Sequence, residues 1–520
     1  MTATATADRP PEYPQLLGHP RPLWMLFMTE FWERFCYYGM RWALVLYIVA
    51  AFYAGDPSGQ KPASTAYGAY TALVYATGIL GGWAADKLLG AQRAVLLGGV
   101  ITAIGLFTLF VKDHTIFLLG LSLIIVGNGL FKPNISTMVG SLYATDDSRR
   151  DRGFTIFYMG INAGAFFAPI VTTLLAQHLM GGTLEKPNYQ VVFATAGVGM
   201  VLGLVWFLFG RGQLKGVGGP PAGKEGMGPV MLVTLGCAVL LAPAYLLMAN
   251  SDYLDYILWA MFAGCSVMLL QAGLATDRVQ LDKIVALLIL LVANILFWMF
   301  FEQAGSSFTF LSESLVDRRM FGGEFVQKVV DGKTATVIEG FEFKIAWFQS
   351  VNPASIVIFA TMVSAIWAWS AKRNAEPSIP RKFALGLMGN ALGFAVLTWA
   401  LGSLVFTTEF GAQLIPFWPL LLCYVLQTIG ELAISPIGLS MVTKLAPANM
   451  VGATMGAWFM SISLGNKLGG NFAGWISGTS GMTIESARDG FSLSFWLLLG
   501  SGVVLFLAAP KINKLMHGVK

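Results

Sequence analysis

The sequence has 520 residues, of which 56% are hydrophobic and only 12% are charged. Because a soluble domain is about 25% charged, this composition excludes an ordinary soluble protein and indicates a polytopic membrane protein. The formal net charge of +5 comes from lysines and arginines scattered through short predicted loops, a pattern of membrane topology rather than of a nucleic-acid-binding surface.

Apolar stretches long enough to cross a bilayer recur along the chain, because about 20 residues of helix span the hydrocarbon core. We predict an all-α polytopic membrane protein with fourteen transmembrane helices. The predicted spans are residues 24–52, 65–85, 94–111, 115–138, 154–178, 190–210, 228–249, 254–274, 284–310, 346–371, 383–403, 415–441, 450–476 and 491–510.

The spans fall into three groups. A stretch rich in glycine and proline follows the sixth span at residues 210–221, and such composition marks a boundary. Spans 7 and 8 are read as an inserted hairpin without an interior charge. We therefore predict an N-terminal six-helix bundle at residues 1–210, a linker with the inserted hairpin at 211–282, and a C-terminal six-helix bundle at 283–520.

The N-terminal segment, residues 1–22, is polar and lacks the apolar core of a cleaved signal peptide. Placing it in the cytoplasm puts most of the 33 lysines and arginines in cytoplasmic segments. The positive-inside rule then predicts that both termini are cytoplasmic.

The first span carries four formal charges, on Glu30, Glu33, Arg34 and Arg41. At 100° per residue, Glu30, Arg34 and Arg41 lie on one face of a helix and Glu33 flanks them. Each charge near the bilayer centre costs about 2.5 to 3.5 kcal/mol, so these side chains need partners or water inside a helix bundle. Charges in such a place are candidates for a functional site.

Three further stretches of the first half stand out, at residues 82–93, 127–136 and 157–164. The first is interpreted as a conformational hinge at the cytoplasmic surface. The second places Lys132 about two turns inside the membrane, where it either serves the site or extends to the interface. The third contains Asn162, which serves either a ligand or helix packing.

The second half places single acids in apolar spans, Glu302 in span 9 and Glu431 in span 12. Asn352 opens span 10 after a long external segment at residues 312–344, which is too polar to span and has room for a short hairpin. In span 13, Trp458 reads most simply as packing, and Lys467 has no predicted role.

The stretch Glu-x-x-Glu-Arg-Phe-x-Tyr-Tyr-Gly at residues 30–39 resembles the signature of proton-dependent oligopeptide transporters, a branch of the major facilitator superfamily. The stretches at 82–93, 127–136, 157–164 and 427–438 are also similar to family signatures; one extra residue before Gly90 departs from the commonest superfamily form, a departure that peptide transporters share. The resemblance implies a bacterial-type member with two extra helices and a major facilitator fold.

The same resemblance implies what the protein binds and where it works. Small peptides are the expected substrates and protons the coupling ion, with no other cofactor and no metal. The expected location is the cytoplasmic (inner) membrane, as a monomer surrounded by lipid and without a nucleic-acid partner. The resemblance also assigns Tyr75, which otherwise reads as interior packing, to the substrate pocket.

Depth along the spans, at 1.5 Å per residue, pairs charges from the two halves. Arg41 and Glu302 share the outer half of the membrane, and Lys132 and Glu431 share the inner half. Two ion pairs that form alternately would act as gates for alternating access. A buried pair has a small net energy, so protons or ligand charges can switch it.

The charges also sort by sign, which fits a zwitterionic peptide between a basic first half and an acidic second half. All four histidines lie at loops or span ends, so carboxylates are expected to carry the proton. The residues expected in proton coupling are Glu30, Glu33, Arg34 and Glu302. Those expected to bind substrate are Arg34, Tyr38, Arg41, Tyr75, Lys132, Asn162, Trp298, Asn352, Glu431 and Trp458.

Other functions stay open at this point. A proton-coupled carrier of another small solute, such as a peptide-like drug or an organic anion, would use a similar site. An intramembrane enzyme would need a nucleophile with a base or a metal cluster, and the histidines and the four cysteines inside predicted spans do not form such a set. A channel or receptor fits the oppositely charged halves and hinge glycines less well than alternating access.

Overall fold

The computed structural model describes residues 10–144, 146–330, 333–447 and 450–519. Within these residues the chain forms fifteen α-helices. They are α1 (Arg21–Phe52), α2 (Gln60–Ala84), α3 (Ala91–Thr108), α4 (His114–Gly140), α5 (Arg150–His178), α6 (Tyr189–Gly210), α7 (Gly228–Ala249), α8 (Ser251–Thr276), α9 (Arg278–Phe301), α10 (Ser307–Ser314), α11 (Trp347–Lys372), α12 (Ile379–Ser403), α13 (Trp418–Leu445), α14 (Val451–Ser477) and α15 (Ile484–Leu515).

Each of the fourteen predicted spans coincides with a long helix. Among the fifteen helices of the described ranges, α10 is the one short helix. By length and apolar composition, twelve helical segments can cross a membrane. The long helices outside that set are α2 and α14, which are rich in glycine, alanine and serine. Small residues are typical of membrane helices whose backbones approach closely. The protein is an all-α, multi-pass membrane protein, as predicted.

Short strands lie in the loops. They are β1 (Gln15–Leu16), β2 (His19–Pro20), β3 (Val316–Asp317), β4 (Glu324–Val330), β5 (Lys333–Glu339), β6 (Phe406–Thr407) and β7 (Gln413–Pro416). Strands β4 and β5 pair antiparallel, which confirms the hairpin expected within residues 312–344. Strands β3, β7 and β6 form a small sheet in that order.

The helices pack as two compact units. Unit 1 comprises Met1–Ala43 and Leu73–Asn250, and unit 2 comprises Leu44–Ala72 and Ser251–Lys520. Helices α1 and α2 therefore contribute to both units. In unit 1, α3 packs against α4 and α6, and α4 packs against α7. In unit 2, α12 packs against α13 and α15, while α14 packs against α8 and α9.

Close backbone contacts inside unit 2 explain the glycines of α2 and α14. A Cβ atom added to Gly68 would lie 2.7 Å from the Cα of Gly470, and one added to Gly470 would lie 2.6 Å from the Cα of Gly68. The hydroxyl group of Ser463 donates a hydrogen bond to the carbonyl of Ala72 at 2.7 Å. Alanine at either glycine would force the two helices apart.

Two details differ from the predicted elements. The ninth span was predicted as one helix over 284–310, but α9 ends at Phe301 and a 3₁₀ turn, Glu302–Gly305, precedes α10. Gly305 lacks the Cβ that would collide with the Tyr67 ring, so the break admits that tyrosine. The inserted hairpin was read as free of interior charge; this is wrong, because Asp255 lies within α8 and pairs with Lys467.

Candidate functional site

The four charges predicted on the first span lie on α1 in unit 1, and all four side chains are buried. The exposed fraction is 3% for Glu30, 1% for Glu33 and 4% for Arg34. Nε of Arg34 lies 3.2 Å from Oε1 of Glu30, one helical turn away, and also contacts Oε2 of Glu33. One guanidinium thus bridges two carboxylates in a low-dielectric environment, which strengthens the attraction.

A fourth side chain from another helix completes this group. Nδ2 of Asn128, on α4, donates a hydrogen bond to Oε1 of Glu33 at 2.7 Å. The sequence reasoning missed this residue, although Asn128 stands in the 127–136 stretch that it singled out. We refer to Glu30, Glu33, Arg34 and Asn128 as the α1 cluster.

The α1 cluster holds buried polar atoms that the described part of the chain leaves without a hydrogen-bond partner. They are Oε2 of Glu30, Nη2 of Arg34 and Oδ1 of Asn128. An unpaired buried polar atom costs about 1 to 3 kcal/mol. A carboxylate ligand would accept a hydrogen bond from the guanidinium nitrogen, and a proton would remove the charge of the unpaired carboxylate.

Cations of unit 1 also face aromatic rings. Nζ of Lys132 lies 3.9 Å from the ring centroid of Tyr75, and Cζ of Arg41 lies 5.6 Å from that of Tyr38. These are cation–π distances. The structure therefore brings Lys132 together with Tyr75, and Arg41 with Tyr38, as neighbouring members of the predicted substrate set.

Asn162 makes a local contact. Its side chain is buried, and Nδ2 donates to the carbonyl of Tyr158, one turn earlier in α5, at 2.9 Å. Gly164 on the same helix lacks the Cβ that would collide with the α1 backbone at Phe31. These contacts fit the alternative that Asn162 serves helix packing.

In unit 2, Glu431 of α13 meets Asn352 of α11. Nδ2 of Asn352 lies 2.9 Å from Oε2 of Glu431 and 2.9 Å from Oγ1 of Thr428. The exposed fraction of Glu431 is 8%. The amide thus fixes the orientation of a buried carboxylate. The roles of Asn352 and Glu431 in binding substrate stay a prediction.

The two tryptophans of the predicted substrate set, Trp298 and Trp458, both lie in unit 2 and are linked through a polar chain. Nε1 of Trp298 donates to Oδ1 of Asn294 at 3.1 Å, and Nδ2 of Asn294 donates to Oγ of Ser461 at 2.9 Å. Ser461 in turn donates to the carbonyl of Trp458 at 2.7 Å. Trp458 is only 2% exposed, packed over Gly438, so in this conformation it lies in the core of unit 2.

Glu302 has a partner that the sequence reasoning did not foresee. The hydroxyl group of Tyr67 donates to Oε2 of Glu302 at 3.1 Å. Both groups belong to unit 2, because the part of α2 that carries Tyr67 packs there. Glu302 is the first residue of the 3₁₀ turn, so it does not lie inside a regular helix.

The members of each predicted gate pair belong to different units. Arg41 and Lys132 lie in unit 1, and Glu302 and Glu431 lie in unit 2. The pairing of Arg41 with Glu302 and of Lys132 with Glu431 stays a prediction. Across the described ranges, no group of three or more His, Cys, Asp or Glu side chains could hold a metal ion.

Comparisons with known proteins place the chain in a family. The POT family matches residues 92–485. The chain is 33% identical over 514 residues to the uncharacterized transporter YclF of Bacillus subtilis, covering 96% of each chain. It is 31% identical over 536 residues to the peptide transporter YePEPT of Yersinia enterocolitica, covering 99% of each.

A solved structure agrees over the same length. A crystal structure of a mutant of the peptide transporter POT, in complex with alafosfalin, matches with a TM-score of 0.78 and 32% identity over 97% of each chain. Sequence and fold therefore agree along nearly the whole chain, and this protein belongs to the POT family of transporters.

Proposed function

We propose that this protein is a proton-coupled symporter that imports di- and tripeptides by alternating access. Support comes from membership in the POT family and from relatives named as peptide transporters or as dipeptide and tripeptide permeases. The family and these relatives are transporters, not enzymes. The observation that carries the proposal is the α1 cluster, whose unpaired buried atoms suit a carboxylate and a proton.

The peptide is recognised by its two charged ends. Its carboxylate binds Nη2 of Arg34 and the ammonium group of Lys132. Arg41 adds a third positive charge to this part of the site. Its ammonium group binds Glu431, which Asn352 holds in place. Tyr38, Tyr75, Asn162, Trp298 and Trp458 then bound the space for the side chains. Recognition of the main chain alone makes the carrier tolerant of different side chains.

Protons enter the cycle through the carboxylates that share cations with the peptide. When a peptide carboxylate competes for Arg34, Glu30 and Glu33 lose part of their counter-charge and one of them binds a proton. Glu302 serves the outer side of the cycle, where the hydroxyl of Tyr67 can donate to its charged form. Protons are the coupling ion, and no other cofactor takes part.

Two ion pairs alternate as gates. Arg41 with Glu302 closes the outer side, and Lys132 with Glu431 closes the inner side while also facing the ends of the peptide. We place the carrier in the cytoplasmic membrane as a monomer surrounded by lipid, with both termini in the cytoplasm.

Uptake into liposomes tests the function. Purified protein should concentrate labelled dialanine when the outside is acidic, and a protonophore should abolish the accumulation. Dialanine blocked at either end by acetylation or amidation should compete poorly, because each block leaves a buried partner unpaired.

The same assay separates the second candidate, a carrier of peptide-like drugs or organic anions, whose precedent is the alafosfalin complex of a relative. Accumulation of a simple organic anion without any of dialanine would favour that candidate. Equal competition by both blocked peptides would contradict recognition of the two charged ends.

A further inference from the structure

The inserted hairpin is divided between the two units. Unit 1 includes Asn250, the residue after α7, and unit 2 resumes at Ser251, the first residue of α8. A single residue therefore joins the two helices. Each helix packs within its own unit, so the hairpin is not a separate body.

Helix α7 is fixed within unit 1 by apolar packing. It packs against α4 and against a π-helical segment, Ala85–Leu89, that follows α2. Val233 and Cys237 of α7 share one buried cluster with Val126 and Leu130. Between membrane helices such side chains are held by van der Waals packing, because lipid is as apolar as the cluster itself.

The linker that leads into α7 is also held by unit 1. The guanidinium of Arg93 donates to the carbonyl groups of residues 224–226. The backbone nitrogen of Gln92 donates to Gly218 at 2.8 Å, and its side chain donates to Val217 at 2.7 Å. The stretch after α2 that resembles a family signature thus anchors the entry to the hairpin.

Helix α8 is fixed within unit 2 by an ion pair whose carboxylate is half-buried. Nζ of Lys467, which is fully buried, lies 3.1 Å from Oδ2 of Asp255 and 2.6 Å from Oδ1 of Asn471. Nδ2 of Asn471 lies 3.0 and 3.1 Å from the two carboxylate oxygens of Asp255. Each of the three side chains contacts the other two; we refer to them as the α8–α14 cluster.

We propose that the hairpin is a covalent tie between the units and that the α8–α14 cluster positions its second leg. Helix α7 moves with unit 1, α8 moves with unit 2, and the turn at Asn250 absorbs any movement between them. The tie guides the change of conformation of the empty and loaded carrier and so speeds turnover, but it does not set how tightly the carrier binds peptide. This inference rests on the proposed function, because alternating access is what makes the tie matter for turnover.

Hydrogen exchange tests the anchoring of α8 without any substrate. Lys467→Met and Asp255→Asn should each accelerate amide exchange in α8 at least about tenfold and leave α7 unchanged. The double variant Asp255→Leu/Lys467→Leu, which leaves no uncompensated charge, should fold stably and still show faster exchange in α8. The control is Tyr256→Phe, at an exposed position one residue after Asp255 on the same helix.

Two results would overturn the anchoring. One is unchanged exchange in α8 of the double variant, which would mean that the cluster holds nothing in place. The other is equal acceleration in α7 and α8, which would mean general destabilisation rather than release of one leg.

An insertion tests the tie itself. Four Gly and Ser residues placed after Asn250 should lower the maximal rate of dialanine accumulation at least about threefold and leave KM within about twofold. The same insertion after Gly181, in the loop between α5 and α6 of unit 1, should change neither. Wild-type turnover with the longer turn would refute the tie. Failure of the wild-type protein to transport peptide would instead refute the proposed function, and the exchange result would stand.

Discussion

Two charge clusters of similar composition, each with a buried cation, differ in how completely their atoms are paired. Both combine a cation, at least one carboxylate and an asparagine inside membrane helices. The α8–α14 cluster is closed, since its cation and both of its carboxylate oxygens have partners within it. The α1 cluster is open, since it contains buried polar atoms that the described residues leave without a hydrogen bond.

The difference in pairing distinguishes a cluster that holds helices together from one that can bind a ligand or a proton. A closed cluster recovers much of the cost of burying its charges and gains nothing from a ligand. An open cluster retains an unmet demand that a ligand or a proton can fill, which favours binding at that place. The completeness of hydrogen bonding therefore says more about where a ligand or a proton binds than the presence of a buried charge does.

The largest expected effect is on the cation of the open cluster. Arg34→Ala leaves two carboxylates buried without their guanidinium, and breaking a buried pair costs about 3 to 5 kcal/mol. We expect initial dialanine uptake to fall about 100-fold or more. Arg34→Lys keeps the positive charge but lacks Nη2, so its dialanine uptake should lie between that of wild type and that of Arg34→Ala. Uptake of the alanine variant above about a tenth of wild type would contradict the role of the open cluster in transport.

A smaller loss of transport is expected from a change at Glu33, because exchange of peptide should continue. Glu33→Gln keeps the size of the side chain but cannot take up a proton, so accumulation against a gradient should disappear while exchange of labelled for unlabelled peptide continues. Glu12→Gln, at an exposed N-terminal position, is the matched control. Gradient-driven accumulation at the wild-type level in the glutamine variant would remove Glu33 from proton coupling.

The two asparagines offer the sharpest contrast. Asn128→Ala in the open cluster should shift the pH dependence of uptake, because Glu33 loses a hydrogen bond to its charged form. Asn471→Ala in the closed cluster should instead lower the melting temperature by a few degrees and leave the pH profile unchanged. If both variants change the same property, the distinction between the clusters fails.

The smallest effect is expected at a partly exposed surface pair that serves as a reference. Hydrogen bonds from Arg149, at 2.8 Å, hold the pKa of Asp147 below its ordinary value of 3.8. The pair therefore stabilises the fold above about pH 4, and this contribution is lost as the pH falls through the lowered pKa. Asp147→Asn should change the melting temperature by about 1 °C or less at pH 7, because exposed pairs contribute little. The difference should vanish near pH 2.

Local spacing explains what the sequence could predict. Glu30 and Arg34 are one helical turn apart, so their contact followed from helical periodicity. The long apolar stretches likewise predicted the membrane helices. Asn128 and Tyr67 were missed because their partners lie 95 and 235 residues away, and no local pattern specifies such contacts.

Two errors have the same physical origin. Asp255 was overlooked because an acid near a helix end resembles an interfacial residue until its partner, 212 residues away, is known. The break at Glu302 was missed because phenylalanines flank the polar residues 302–307 on both sides, so the span was predicted as one continuous helix. Its cause is a tyrosine from a distant helix that approaches Gly305.

The glycine-rich pair α2 and α14 has a consequence for reading sidedness from hydropathy. A count based on apolar composition finds twelve spans and omits these two helices. Each omission inverts the side assigned to every segment that follows, so the stretch between them would be placed on the wrong side of the membrane. Since the second omission reverses the first, the C-terminus would still be assigned correctly, and reporters fused to the two termini would not reveal the mistake. Only a tag in a loop between α2 and α14 would expose it.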